Sequence, residues 1–213
     1  MVVACSLLLA AVGMAIAPHA ERALTAVERE RQEIPLDLQP GAQRTEVHDS
    51  LGNQIGILRR EIDRELITLD RIPVDVVATI LAVEDDKFWE HNGVDLRATV
   101  RALISNVSAG GISQGGSTIT QQIIKLKVVG NERSFNRKIR EAVLAARLEE
   151  EFTKDEILEF YLNEIYFGNG AYGVQAAAET YFAKDVSRLD VGDAAFLAGL
   201  IRSPSIYDGF DQN

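Results

Sequence analysis

Helix-start signals recur along this chain with little to compete against them, and they restrict the fold more than any other feature. Thr118-x-x-Gln121 follows Gly115-Gly116 and has the form of a capping box, in which the two side chains satisfy free backbone N–H groups at the helix start. It predicts a helix running to about Lys127. Thr153-x-x-Glu156 repeats the device ahead of Ile157, Leu158, Phe160, Tyr161 and Leu162. Ser134 is an N-cap candidate for a helix to about Glu151, with Phe135, Ile139, Ala142 and Ala146 on one face. Gly168, Gly170 and Gly173 break the chain, and helix resumes over Val174–Phe182. Asp190 opens a last helix over residues 191–201, which Pro204 closes. From about residue 60 onward no strand signal has comparable strength. The extended candidate is residues 44–58, where Val47 and the run 55–58 flank the turn dipeptide Gly52-Asn53. The prediction is a mainly α domain fronted by a small hairpin.

With 213 residues and 46% hydrophobic content the chain can bury a full core, and one main domain is expected. The single cysteine, Cys5, rules out an internal disulfide framework and reads as a small hydrophobe within an apolar run. Residues 1–17 carry no charged side chain. That length is at the lower edge of what spans a bilayer, about 17–25 residues. Residues 1–18 are read as a transmembrane anchor cut short at its N-terminus; a cleaved signal, suggested by Ala15-Ile16-Ala17, and a buried helix are the alternatives. Residues 19–43 follow as a stalk, polar and helical over 20–33, and 44–213 form the domain. Net charge is −10, which disfavours nucleic acid as a partner. The charge is uneven. Residues 125–147 hold seven Lys/Arg against Glu132 and Glu141, a local +5 that leaves −15 for the rest. A basic island in an acidic chain points to an anionic ligand such as phosphate, against the plainer reading of a solvated helix face.

The residues suited to chemistry cluster in three places. Reading from Pro73, Val74, Val77, Ala78 and Leu81 form a helical stripe, and Glu84 continues it. A carboxyl on the core side of a helix loses hydration, which makes it harder to ionise and suits it to proton transfer. A helix-end glutamate turned to solvent or paired with Lys87 is the alternative. Asp85 is turned about 100° away, either to orient a neighbour or as a surface charge. Phe88, Trp89 and His91 are expected to pack the turn beneath the acid, with Gly93 at a positive φ. The Gly115-Gly116-Ser117-Thr118 turn presents backbone N–H groups at the positive end of a helix, an anion-binding arrangement. Gln122 and Lys125, three residues apart, share a face of that helix. Farther on, Arg137 and Glu141 lie at i, i+4 with Lys138 and Arg140 close by. A basic residue placed first is the less favourable order for helix stabilisation, so the pair is poorly explained as a stabilising device. A glutamate among so many cations is expected to stay ionised. Two carboxyls driven in opposite directions is how acid and base roles are recognised.

E-D-x-x-F-x-x-H-x-G (84–93), GGSTITQQ (115–122), R-K-x-x-E (137–141), Y-L-N-x-I-Y-F-G-x-G-A-Y-G (161–173) and A-A-F-L-A-G-L-x-x-x-P (194–204) follow one another in order. In these motifs the chain resembles glycosyltransferase family 51, the peptidoglycan glycosyltransferase domain of class A penicillin-binding proteins and monofunctional transglycosylases, over residues 44 to 208. The resemblance implies a lysozyme-like helical fold at the outer face of the plasma membrane. It also implies polymerisation of lipid II into glycan strands with inversion and release of undecaprenyl diphosphate. It makes Glu84 the base that takes the acceptor hydroxyl proton, and puts Glu141 at the donor diphosphate, directly or through Mg²⁺ or Mn²⁺. Lys125, Arg137 and Lys138 would neutralise the leaving diphosphate. Ser117, Thr118, Gln121 and Gln122 would line the donor site, with Asn163 and the glycines of 168–173 on the acceptor side. Asp85, Phe88, His91, Gly115 and Gly116 would support them, and 102–113 would touch the membrane. Other cell-wall synthesis proteins are implied as partners. Leu126 and Gln175 depart from the family pattern, and the end at Asn213 leaves open a monofunctional enzyme or part of a bifunctional one. A lytic glycosidase using Glu84 as acid, or a non-enzymatic assembly protein, are the other readings. The first has no need of a diphosphate-binding island.

Overall fold

A computed structural model of the chain describes residues 35–58, 62–99, 101, 105, 116–129 and 135–202. The expected anchor, the helical part of the stalk, Gly115, the Ser134 cap and nearly all of 102–113 lie outside these residues. Among the described residues no helix is long and apolar enough to cross a membrane.

The hairpin forms at the turn dipeptide. Asp49 Oδ1 accepts the N–H groups of Leu51 and Asn53, each at 2.8 Å, and Gly52 takes the left-handed φ of +85° that the reversal requires. Strands β1 (Thr45–His48) and β2 (Gln54–Leu58) pair antiparallel from Thr45↔Leu58 to His48↔Gln54, with an irregularity after Val47. A second pairing was not foreseen. β3 (Asp63–Arg64) lies parallel to β4 (Ala171–Tyr172), a two-residue ladder between segments far apart in sequence.

Among the described residues everything else of regular structure is helical. α1 (Val74–Glu84), α2 (Ile119–Ile124), α3 (Phe135–Glu151), α4 (Lys154–Glu164), α5 (Val174–Phe182) and α6 (Val191–Arg202) follow the expected starts, with 3₁₀ turns at Leu69–Arg71 and Val186–Arg188. Both capping boxes are complete, Thr118 with Gln121 and Thr153 with Glu156. Asp190 and Asp193 make the corresponding exchange ahead of α6, Asp193 N–H to Asp190 Oδ1 at 2.9 Å and Asp190 N–H to Asp193 Oδ2 at 3.2 Å. The helix expected to run from Thr118 to Lys127 instead leaves α geometry after Ile124 and continues as a π turn, Lys125–Val129.

The buried face of α1 is displaced from the predicted stripe. Val76, Ile80 and Leu81 are buried, whereas Val74 is 78% exposed and Ala78 is also exposed. Glu84 still continues the buried face, because it follows Ile80 by four residues and Leu81 by three. α1 packs on α6, and α2 on α3. Ile80, Phe88, Ile119, Ile123, Leu144, Leu148, Ile157, Leu158, Tyr161, Phe167, Leu197 and Leu200 form the core between these layers. At the hairpin end Arg44 joins the extended segment to α5. Its guanidinium pairs with Glu65 and with Glu179 at 2.5 Å, and lies 3.7 Å from Asp63. That contact with the guanidinium helps hold the Glu179 carboxyl below its usual range against the effect of burial.

Candidate active site

Glu84 ends α1, and its position follows from how the next residues are tied down. Asp85 caps the helix, its N–H donating to Leu81 O at 2.8 Å. Its buried carboxylate accepts the Ile119 N–H at 2.9 Å and the His91 Nε2–H at 3.0 Å. One side chain thereby locks the end of α1 to the start of α2. Asp85 is not a surface charge: its carboxylate is buried and engaged by His91 and the Ile119 N–H. His91 is buried with Phe88 beneath it, edge to face at 6.1 Å, and its Nδ1 lies 3.7 Å from Glu149 Oε1. Trp89 departs from expectation. It meets Phe88 edge-on at 5.0 Å but is 54% exposed.

Gly93 closes the loop and accepts the Thr118 hydroxyl proton at 2.7 Å. Its φ is +82°, and a Cβ there would lie 2.5 Å from the Ala145 backbone, so both the conformation and the close approach to α3 require glycine.

The Glu84 carboxylate accepts from Gln122 Nε2 at 2.9 Å, and the Tyr161 hydroxyl donates to Gln122 Oε1 at 3.1 Å. The buried phenol orients the amide so that its N–H₂ faces the carboxylate. Burial pushes the Glu84 carboxyl above the ordinary glutamate value. The Gln122 hydrogen bond and the charge of Arg202 oppose this, and the charge of Asp85 adds to it. Tyr161 is held in its neutral, donating form by burial and by the Glu84 and Asp85 charges.

Glu84 faces a cavity of about 220 Å³ whose wall includes Asp85, Asp86, Asp95, Arg101, Gly116, Ser117, Thr118 and Arg202. The second carboxylate reaches this cavity through a chain of side chains. Glu141 is buried on α3 and accepts from Arg137 Nη1 at 2.7 Å and from Lys138 Nζ, while Lys138 also donates to Ser117 Oγ at 2.8 Å. Lys138, shared between Glu141 and Ser117, therefore links the second carboxylate to the wall that holds Glu84.

The anion-binding reading of the α2 start does not hold as expected. The N–H of Thr118 is taken by the Gln121 side chain, that of Ile119 by Asp85 and that of Gln121 by the Thr118 hydroxyl. Gln121 is buried in its cap and does not line the cavity. Asn163 is also engaged internally, accepting the Ile67 N–H at 2.9 Å and donating to Ile67 O at 2.8 Å. It borders a second, mostly apolar cavity of about 440 Å³ with Leu38, Ile67 and Phe160, not the one at Glu84. Lys125 is exposed at the start of the π turn. Lys127 leaves the island for Glu164, at 3.2 Å, so part of the basic charge is structural. Arg202, Asp95, Arg101 and Tyr161 also stand at the site, and none carries a functional signal in the sequence. Arg202 reads in sequence as an ordinary basic residue ending a helix, and only the packing of α6 on α1 brings it to Glu84.

Among the described residues no group of three or more His, Cys, Asp or Glu side chains is placed to hold a metal ion. Both oxygens of Glu141 already accept from cations. The side chains of the described residues do not fit a divalent ion held by protein ligands alone.

A family model described as transglycosylase matches residues 51–213. Penicillin-binding protein 1A of Aquifex aeolicus is 47% identical over 168 residues, 79% of this chain and 23% of the relative. Penicillin-binding protein 1A of Escherichia coli is 48% identical over 142 residues, 67% of this chain and 17% of the relative. Penicillin-binding protein 1F of Bacillus subtilis is 41% identical over 163 residues, 76% and 23% respectively. The chain spans about a fifth of the length of these relatives.

Proposed function

The chain belongs to the transglycosylase family, and on that premise we propose that it polymerises lipid II into peptidoglycan glycan strands, from a lysozyme-like helical domain at the extracytoplasmic face of the plasma membrane. One observation carries the reading. The dehydrated carboxyl of Glu84 lies in the wall of a cavity that Lys138, a cation paired with Glu141, reaches through Ser117.

In the proposed reaction the acceptor sugar's hydroxyl attacks the anomeric carbon of the donor. Glu84 accepts the hydroxyl proton while Gln122, oriented by Tyr161, holds the carboxylate in place. The bond from the anomeric carbon to the diphosphate breaks, and its electron pair leaves with the diphosphate. Arg137 and Lys138 stabilise that charge as it grows, with Lys125 as a further cation on approach. Base and leaving group on opposite sides of the sugar give inversion. Glu141 aligns Arg137 and Lys138. Any Mg²⁺ or Mn²⁺ would have to arrive on the diphosphate, and no step is assigned to it. The growing glycan, the membrane and other cell-wall synthesis proteins are the partners this reading implies.

Incubation of the protein with lipid II, with and without chelator, and separately with preformed wall, tests the reading by product. Glycan strands from lipid II are expected. Soluble fragments from preformed wall, with no polymer from lipid II, would replace it with a lytic activity.

A further inference from the structure

Among the described residues at its cavity, Glu84 has more negative neighbours than positive ones. Asp85 and Asp86 follow it directly, and Asp95 faces the same cavity from the loop beyond. On the α2 and α4 side stand the neutral groups Gln122 and Tyr161. Two cations share the cavity wall, Arg101 and Arg202. Arg101 acts on Asp95, whose carboxyl its charge helps to hold low, after the larger effect of the Ala98 N–H. Arg202 is the last residue of α6, the helix packed along α1, and it stands where Glu84 ends α1.

We propose that Arg202 is the positioning cation of this site: its charge holds the ionised Glu84 carboxylate in the cavity, ready to accept a proton. The inference rests on Glu84 being the base of the proposed reaction. Burial and the charge of Asp85 both make the Glu84 carboxyl harder to ionise, and a countercharge acts against them. Gln122 supplies one hydrogen bond but no charge. Among the described residues Arg202 is the cation whose charge opposes the effect of burial on Glu84, and both side chains line one cavity.

The test has two arms on the full-length protein. In the first, the titration of Glu84 is read directly by carbon-13 NMR of its carboxyl, assigned by comparison with Glu84→Gln. Arg202→Gln is expected to move the Glu84 midpoint upward by about half a pH unit or more, the scale of a countercharge acting across a partly hydrated gap. Arg202→Lys is expected to return it toward the native position. In the second, the acid limb of kcat/KM for lipid II polymerisation is expected to move the same way in the same two variants. Unmoved Glu84 midpoints in Arg202→Gln, or no recovery in Arg202→Lys, would overturn the proposal whatever the activity. Shifted midpoints with no polymerisation by the native protein would instead leave Arg202 in its role and remove the reaction assigned to Glu84.

Discussion

Each side chain at the site answers to a specific neighbour. Glu84 and Asp85 are adjacent in sequence yet occupy opposed environments, one held ionisable at a cavity wall, the other enclosed by His91 and the Ile119 N–H. Burial raises the Glu84 carboxyl. The sign of the consequence for folding is set by that direction. Below the unfolded glutamate value both states are protonated and Glu84 carries no penalty. As pH rises toward and through the raised folded value, the unfolded state ionises first and stability is lost. Glu84→Gln keeps the hydrogen-bonding capacity without a charge. It is therefore expected to match the native protein in acid and to be more stable than it near neutral pH, by urea denaturation at a series of pH values. A native protein that gains stability over that range relative to Glu84→Gln would contradict the dehydration of Glu84. Glu84 was legible in sequence because helical periodicity extends to it, even though the stripe itself was misplaced by the exposed Val74 and Ala78. Arg202 and Asn163 were not legible, since a helix-end arginine and a helical asparagine look the same whether they face a cavity, another segment or water.

At the scale of elements, the starts of helices were the most readable part of the chain. A capping box is a local exchange of hydrogen bonds, so four residues suffice to announce it. The π turn after Ile124 and the β3–β4 ladder carry no comparable mark. The first begins at the exposed Lys125 and Leu126, and the second joins residues 63–64 to 171–172, far apart in sequence. The two complete capping boxes allow a comparison. Thr153 caps α4 at the surface, and Thr153→Ala is expected to cost about 1 kcal/mol of stability with turnover by the folded protein unchanged. Thr118 caps α2, holds the Gly93 carbonyl and lines the Glu84 cavity. Thr118→Ala is expected to cost about 1–2 kcal/mol and to lower turnover as well, because the loop after Glu84 loses an anchor. Denaturation midpoints with initial rates on lipid II check both; equal activity of the two variants would show that the Gly93 tie does not position the base.

The whole molecule brings together two features that sequence kept fifty-seven residues apart, Glu84 and Glu141. α1 and α2 meet through Asp85, α2 and α3 pack together, and Lys138 spans from Glu141 to Ser117 at the cavity. The net charge of −10 sits on the same chain as a basic island that is only partly free for ligand, since Lys127 pairs with Glu164 and Arg147 with Glu151. Lys138 reaches the cavity wall at Ser117, so in the proposed reaction the cation that meets the diphosphate is a different group from the proposed base. Binding and proton transfer should therefore separate. The most direct measurement is lipid II affinity and turnover of Glu84→Gln side by side with the native protein. The account predicts a loss of turnover on the order of 10³-fold, the scale of general base catalysis, with affinity held within a few-fold. Native-like turnover by Glu84→Gln, or affinity that collapses together with it, would contradict the account.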